Sequence, residues 1–292
     1  MMLGIGVAMW LGACMPTLAQ EEGANDFRFQ TCSGLAGGAE VAFLRPYVGD
    51  LQGVSVELLT NSASYRSDSN TFDPSWRLWL GYVSPTGGGV RARYWQFDHD
   101  LAAETFDTTV GGDALSGRGR LNMYSIDVEF MQRFDFETFS INGTAGMRVA
   151  NIDRSFSMTS AGGGGDPSTL SLSNQYDGIG PTLSGEFRRP IGSGGLAVLV
   201  NSRGTLLFGS RKVNLVIPED LAGFPDFPQI SITGEDDSFL AVGEIQMGFE
   251  WSRELSNGSR VFTNALWEGQ AWGSNSSMAG LTGFIVGLGL AR

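Results

Sequence analysis

FSINGTAGMRV, residues 139–149, alternates with a period of two. Phe139, Ile141, Ala145, Met147 and Val149 share one parity, while Ser140, Asn142, Thr144 and Arg148 share the other. Successive side chains of a strand point to opposite faces, so this stretch reads as a strand with one apolar and one polar side. FLAVGEIQMGFEW, residues 239–251, repeats the pattern: Phe239, Ala241, Ile245, Met247, Phe249 and Trp251 face one way, Glu244, Gln246 and Glu250 the other. Residues 76–82, 90–94, 124–130 and 179–187 alternate likewise. Residues 39–44, 196–208 and 261–267 do so less cleanly, and 281–290 completes a set of about ten strands, within roughly 8–12.

The connections alternate in length. Short ones at 84–88, 133–137, 190–194 and 253–259, the last with Asn257-Gly258, read as tight turns. Long polar ones fall between them at 50–73, 98–118, 153–174 and 209–237, with a shorter one at 269–279. Short turns on one side and long loops on the other are expected of an all-β, up-and-down antiparallel barrel crossing an outer membrane, with periplasmic turns, extracellular loops and both termini periplasmic.

Composition excludes several other classes. The 292 residues hold 42 glycines, and 17% are charged against roughly 25% in soluble domains. Beyond the N-terminus no apolar run approaches the ~18 residues of a membrane helix. A net charge of -12 argues against nucleic acid as a partner. Two cysteines, Cys14 and Cys32, exclude a disulfide framework or a thiolate metal site.

The N-terminus reads as an address. Residues 1–15 are almost wholly apolar, followed by Pro16, Thr17, Leu18, Ala19 and the polar run Gln20, Glu21, Glu22. Thr17 and Ala19 resemble a small-residue cleavage site, giving a signal peptide over 1–19, although no Lys or Arg precedes the apolar core. A lipobox at Leu11, Gly12, Ala13 and Cys14, or a retained anchor, is the alternative. Residues 20–38 then form a periplasmic segment and 39–292 the barrel.

A soluble sandwich or barrel would also alternate, with its apolar face inward. The aromatics favour the membrane, because Trp76, Tyr82, Tyr94, Phe130, Phe134, Phe139, Phe187 and Trp251 gather near strand ends, where an interfacial girdle forms. The opposite parity then faces the lumen: Arg77, Arg91, Arg93, Asp127, Glu129, Arg148, Glu186, Arg188, Arg203, Glu244, Gln246 and Glu250. Two readings follow. These residues line a hydrophilic channel and set its selectivity, or they pair into a polar plug. Ten strands enclose little more space than eight, which side chains can fill.

Several segments carry a family resemblance. RLWLGY at 77–82, a glycine turn and VRARYWQFDH at 90–99 resemble a hairpin of the Legionella-type major outer-membrane, pore-forming proteins and their planctomycete-like relatives. AEVAFLRP at 39–46 resembles that family's opening strand, and ALWEGQAW at 265–272 with GLTGFIVGLGL at 280–290 its closing hairpin. The resemblance implies a porin-like outer-membrane barrel of the Gram-negative type, passing small hydrophilic solutes or ions, with no catalytic residues. The chain departs from it in ending on Ala291 and Arg292 where such barrels end on an aromatic residue.

Other chemistry is weaker. Barrels also serve as rim hydrolases that use a histidine, and His99, flanked by Asp98 and Asp100, would act as general base facing Asp236 and Asp237 across the rim. Glycines 162–165 lack the Lys-Ser/Thr of a phosphate loop, and Glu235, Asp236 and Asp237 lack calcium-loop spacing. Cys32 is a lone thiol with no base beside it in the sequence. The expectation is a non-enzymatic barrel without metal or cofactor. Its expected partners are membrane lipid, lipopolysaccharide and the barrel-assembly machinery, with homo-oligomerisation open. A structural or surface-interaction barrel with a filled lumen is the alternative function.

Overall fold

The computed structural model describes residues 34–48, 71–107, 114–161, 168–218, 229–273 and 278–292. The signal-peptide and lipobox readings, both cysteines, glycines 162–165 and most of the 50–73 connection lie outside them. Ten strands follow in order: β1 (Gly34–Val48), β2 (Asp73–Val83), β3 (Gly88–Asp107), β4 (Ala114–Asp135), β5 (Ser140–Ala161), β6 (Ser168–Ile191), β7 (Leu196–Ile217), β8 (Ile230–Glu254), β9 (Arg260–Gly273) and β10 (Met278–Ala291). Each pairs antiparallel with its neighbours in sequence, and β1 pairs with β10 from Ala36↔Ala291 to Val48↔Ala279. The sheet is therefore closed and has no free edge, which a lipid environment requires of strands.

The side chains are inverted relative to a soluble barrel. Leu80, Phe130, Leu183 and Leu288 face outward with exposures of 62%, 71%, 65% and 62%, whereas inward Asp127 and Arg148 are at 0%. Leu78, Val128, Phe249, Phe284 and Val286 extend the outward apolar surface around the wall. So continuous an apolar surface belongs against lipid.

Two glycines show how local chemistry sets the wall. Gly258 has φ 78°, and its N–H closes the turn on the Leu255 carbonyl at 3.0 Å while Asn257 Oδ1 accepts from Ser259 N–H. In β10, a Cβ on Gly283 would lie 1.8 Å from the Phe43 carbonyl oxygen, so β1 and β10 approach closely only because no side chain is there.

The expected boundaries need correction. β1 begins at Gly34, ahead of residue 39, and Phe139 belongs to the turn before β5. The larger difference concerns the long connections. Much of 98–118, 153–174 and 209–237 continues as paired strand: β3–β4 reaches Asp107↔Ala114 with a register shift between Leu101 and Glu104, β5–β6 reaches Ser160↔Ser168, and β7–β8 reaches Ile217↔Ile230. Beyond the bilayer both faces of a hairpin can meet water, so the apolar alternation that marks a strand fades while the ladder continues.

Candidate functional site

The inward parity builds the lumen in layers. At the end with the short turns lies a cavity of about 250 Å³, lined by Glu40, Trp79, Arg91, Glu186, Asn201 and Arg260 among others. Arg188 Nη2 donates to Glu250 Oε1 at 2.5 Å near its mouth, and Trp79 stacks on Phe262 at 5.9 Å.

Above it the charges interlock. Arg148 donates to Asp127 from Nε at 2.6 Å and Nη2 at 3.0 Å, and to Glu244 from Nη1 at 2.5 Å. Arg77 joins Glu40 at 3.0 Å and Glu268 at 2.8 Å, Arg91 joins Glu129 at 2.8 Å, and Arg93 joins Glu244 at 3.1 Å. Arg203 donates to Glu129 as well. Gln246 and Gln270 donate to Glu268 at 2.9 and 3.0 Å. Five arginines (77, 91, 93, 148, 203) thus meet five carboxylates (40, 127, 129, 244, 268), so this layer is neutral. Such pairing is what makes buried charge tolerable, since an isolated ion there would cost several kcal/mol.

The next layer outward is apolar. Trp95, Phe97, Met123, Ile152, Leu207, Leu240, Trp272 and Leu281 fill the interior together with Ala42 and Leu44. Trp95 stacks on Trp272 at 5.7 Å and lies 6.4 Å from Phe97, which stacks on His99 at 6.0 Å. Trp272 also joins the two layers, donating to Gln270 Oε1 at 2.8 Å and lying under the Arg148 guanidinium at 5.9 Å. Every strand except β2 supplies an apolar member, and β2 supplies the buried Ser75.

All twelve candidate lumen residues face inward. Arg77, Asp127, Glu129, Arg148, Arg188, Arg203, Glu244 and Gln246 are buried, while Arg91, Arg93, Glu186 and Glu250 are half-buried around the cavity. Glu40, Glu268, Gln270, Trp95 and Trp272 were missed. Parity alone places them: Trp95 and Phe97 share the face of Arg91 and Arg93, and Glu268, Gln270 and Trp272 oppose outward Trp267. Of the girdle candidates, Trp76, Tyr82, Tyr94, Phe130, Phe134 and Trp251 are exposed, whereas Phe139 and Phe187 are half-buried against each other at 5.4 Å.

The minor alternative of a rim site around His99 meets a different arrangement. His99 points inward, 1% exposed, with Nδ1 hydrogen-bonded to Asp73. Asp98 and Asp100, one residue to either side, point outward, as strand geometry demands. Arg120 bonds Asp98 and holds its carboxyl below the usual range. Among the described residues no three His, Cys, Asp or Glu side chains come together as a metal site.

Solved structures with a similar course include the outer membrane protease OmpT from Escherichia coli, with 8% identity over 89% of this chain and 96% of that one and a TM-score of 0.44. Ail, the attachment invasion locus protein of Yersinia pestis, matches with 9% identity over 88% and 99% and a TM-score of 0.31. The transport unit of the E. coli autotransporter AIDA-I matches with 10% identity over 92% and 93% and a TM-score of 0.32. No curated protein matches the chain. The family model described as Legionella pneumophila major outer membrane protein precursor matches residues 30–285, and with its lipid-facing wall closed around paired charge the chain belongs to that family as a barrel of the cell outer membrane.

Proposed function

We propose that this protein is a closed outer-membrane barrel acting through its wall and outward hairpins, in a structural or surface-interaction role, and not as a standing channel. The apolar layer carries this reading. A standing aqueous pore needs a continuous polar path, whereas Trp95, Phe97, Met123, Leu207 and Trp272 have 2% exposure or less. The neutral charge layer beneath them supports the plug, and the extended β3–β4, β5–β6 and β7–β8 hairpins supply an outer surface. The sequestration of His99 from Asp98 and Asp100 supports a non-enzymatic role. In liposome swelling with small sugars, reconstituted protein should match protein-free liposomes. Swelling graded by solute size would reject the proposal.

A second reading, porin-like passage of small hydrophilic solutes or ions, is favoured by the charge-lined cavity of about 250 Å³ at the turn end. It requires the Trp95–Trp272 stack to part, with Arg91 and Arg93 on the path. Neutralising both should then reverse ion preference, and an unchanged preference would count against that role.

A further inference from the structure

The outer mouth of the barrel differs from the lumen below it. Arg154 on β5 and Arg211 on β7 both face inward there, across β6, at a level where the outward residues Asp98, Asn122, Asp153, Gln175 and Lys212 are polar, above the apolar band. With Asn174, Tyr176, Ile152, Ser238, Leu240 and Trp272 they wall a cavity of about 30 Å³. Because about 10–15 Å³ of such space holds a water, the cavity admits one small polar group.

Three observations give this cavity a ligand preference. Arg154 forms no hydrogen bond or ion pair with any described residue, whereas Arg77, Arg91, Arg93, Arg148 and Arg203 below are all joined to carboxylates. Burial and the neighbouring Arg211 push the Arg154 guanidinium below its ordinary value. Tyr176 is 7% exposed, its ring lies over Gly178, and its Oη is buried with no hydrogen-bond partner. Arg211 is already positioned, donating from Nε to Asn174 Oδ1 at 3.1 Å. Asp236 is paired in register with Arg211 on the same parity and is exposed. An unpaired guanidinium that lines one cavity with an orphaned hydroxyl is the surrounding that an anion would relieve.

We propose that this outer mouth binds a small oxyanion, either free or as the anionic terminus of a larger molecule, between Arg154 and Arg211 with the Tyr176 hydroxyl as a further donor. The proposal holds whether or not the lumen opens. Its test is titration of the refolded full chain in detergent with inorganic phosphate at constant ionic strength, following heat by calorimetry together with the intrinsic tryptophan fluorescence to which Trp272 in the cavity wall contributes. A saturable change is expected, weakened tenfold or more in Arg154→Gln and several-fold in Tyr176→Phe, with Lys212→Gln on the outer face as the unaffected control. A non-saturating response, or equal affinity in wild type and both variants, overturns it. Should Arg154→Gln fail to fold, Tyr176→Phe, which removes a hydroxyl with no partner, decides alone. Repeating the titration with lipopolysaccharide micelles separates the sources: tighter binding than inorganic phosphate assigns a lipid phosphate, and equal or weaker binding a free anion.

Discussion

Arg148 bridges Asp127 and Glu244 in the charge layer, so removing it leaves both buried carboxylates to share Arg93 and Arg203 and gives the layer a net negative charge. Truncating one member of a buried pair costs about 3–5 kcal/mol, more than the pair itself contributes, because the surviving charge stays desolvated. Urea unfolding of refolded Arg148→Ala should show a loss of that size. A loss below about 1 kcal/mol would mean that water reaches this layer. Gly283 sets a different constraint, because any side chain there strikes the Phe43 carbonyl across the closing ladder. Gly283→Ala should destabilise the barrel by about 1–3 kcal/mol in the same assay, the usual range for overpacking. At His99, neighbours in sequence are not neighbours in space. DHD suggests one cluster, but adjacent residues of a strand cannot share a face, and His99 reaches across to Asp73 on β2 instead.

At the scale of the strand, alternation states which face meets lipid, and single substitutions can test it. Val128 on β4 is 59% exposed within the apolar band, so Val128→Arg should cost about 2–4 kcal/mol if it lies near the bilayer midplane. Thr169, exposed at the outer end of β6, should accept arginine within about 0.5 kcal/mol. Equal costs at both positions would contradict the membrane boundary. The ten strands and their short turns were legible in the sequence because a lipid-facing wall forces period two wherever the chain crosses the bilayer. The outer lengths of β3 to β8 were not legible, since polar hairpins there carry no such contrast. The inward charges could be read from parity, but their partners could not: Arg77 meets Glu268, 191 residues away, only because β10 closes on β1. The aromatic plug was missed for another reason. Trp95 and Trp272 lie just past the stretches 90–94 and 261–267 over which alternation is legible, because outward residues such as Gln96 and Gly269 lack apolar side chains and end the contrast while the strands continue.

For the whole molecule, barrel closure decides what the charges do. The five arginines and five carboxylates of the interlocked layer cancel, so the net -12 is carried outside that layer. Glycines such as Gly283 and Gly258 serve close strand approach and a turn, and the low charged fraction reflects a wall whose outer face meets lipid. In the proposed reading, a charge-neutral layer and an apolar layer together close the lumen of a folded, membrane-inserted barrel. Single-channel recording of refolded, heat-modifiable protein in a planar bilayer decides between a closed and an open lumen. A closed lumen keeps the wild-type current at the baseline of the bare membrane and gives discrete openings once Trp95→Ala and Trp272→Ala are combined; steady ohmic steps from the wild-type protein would show that the lumen is open.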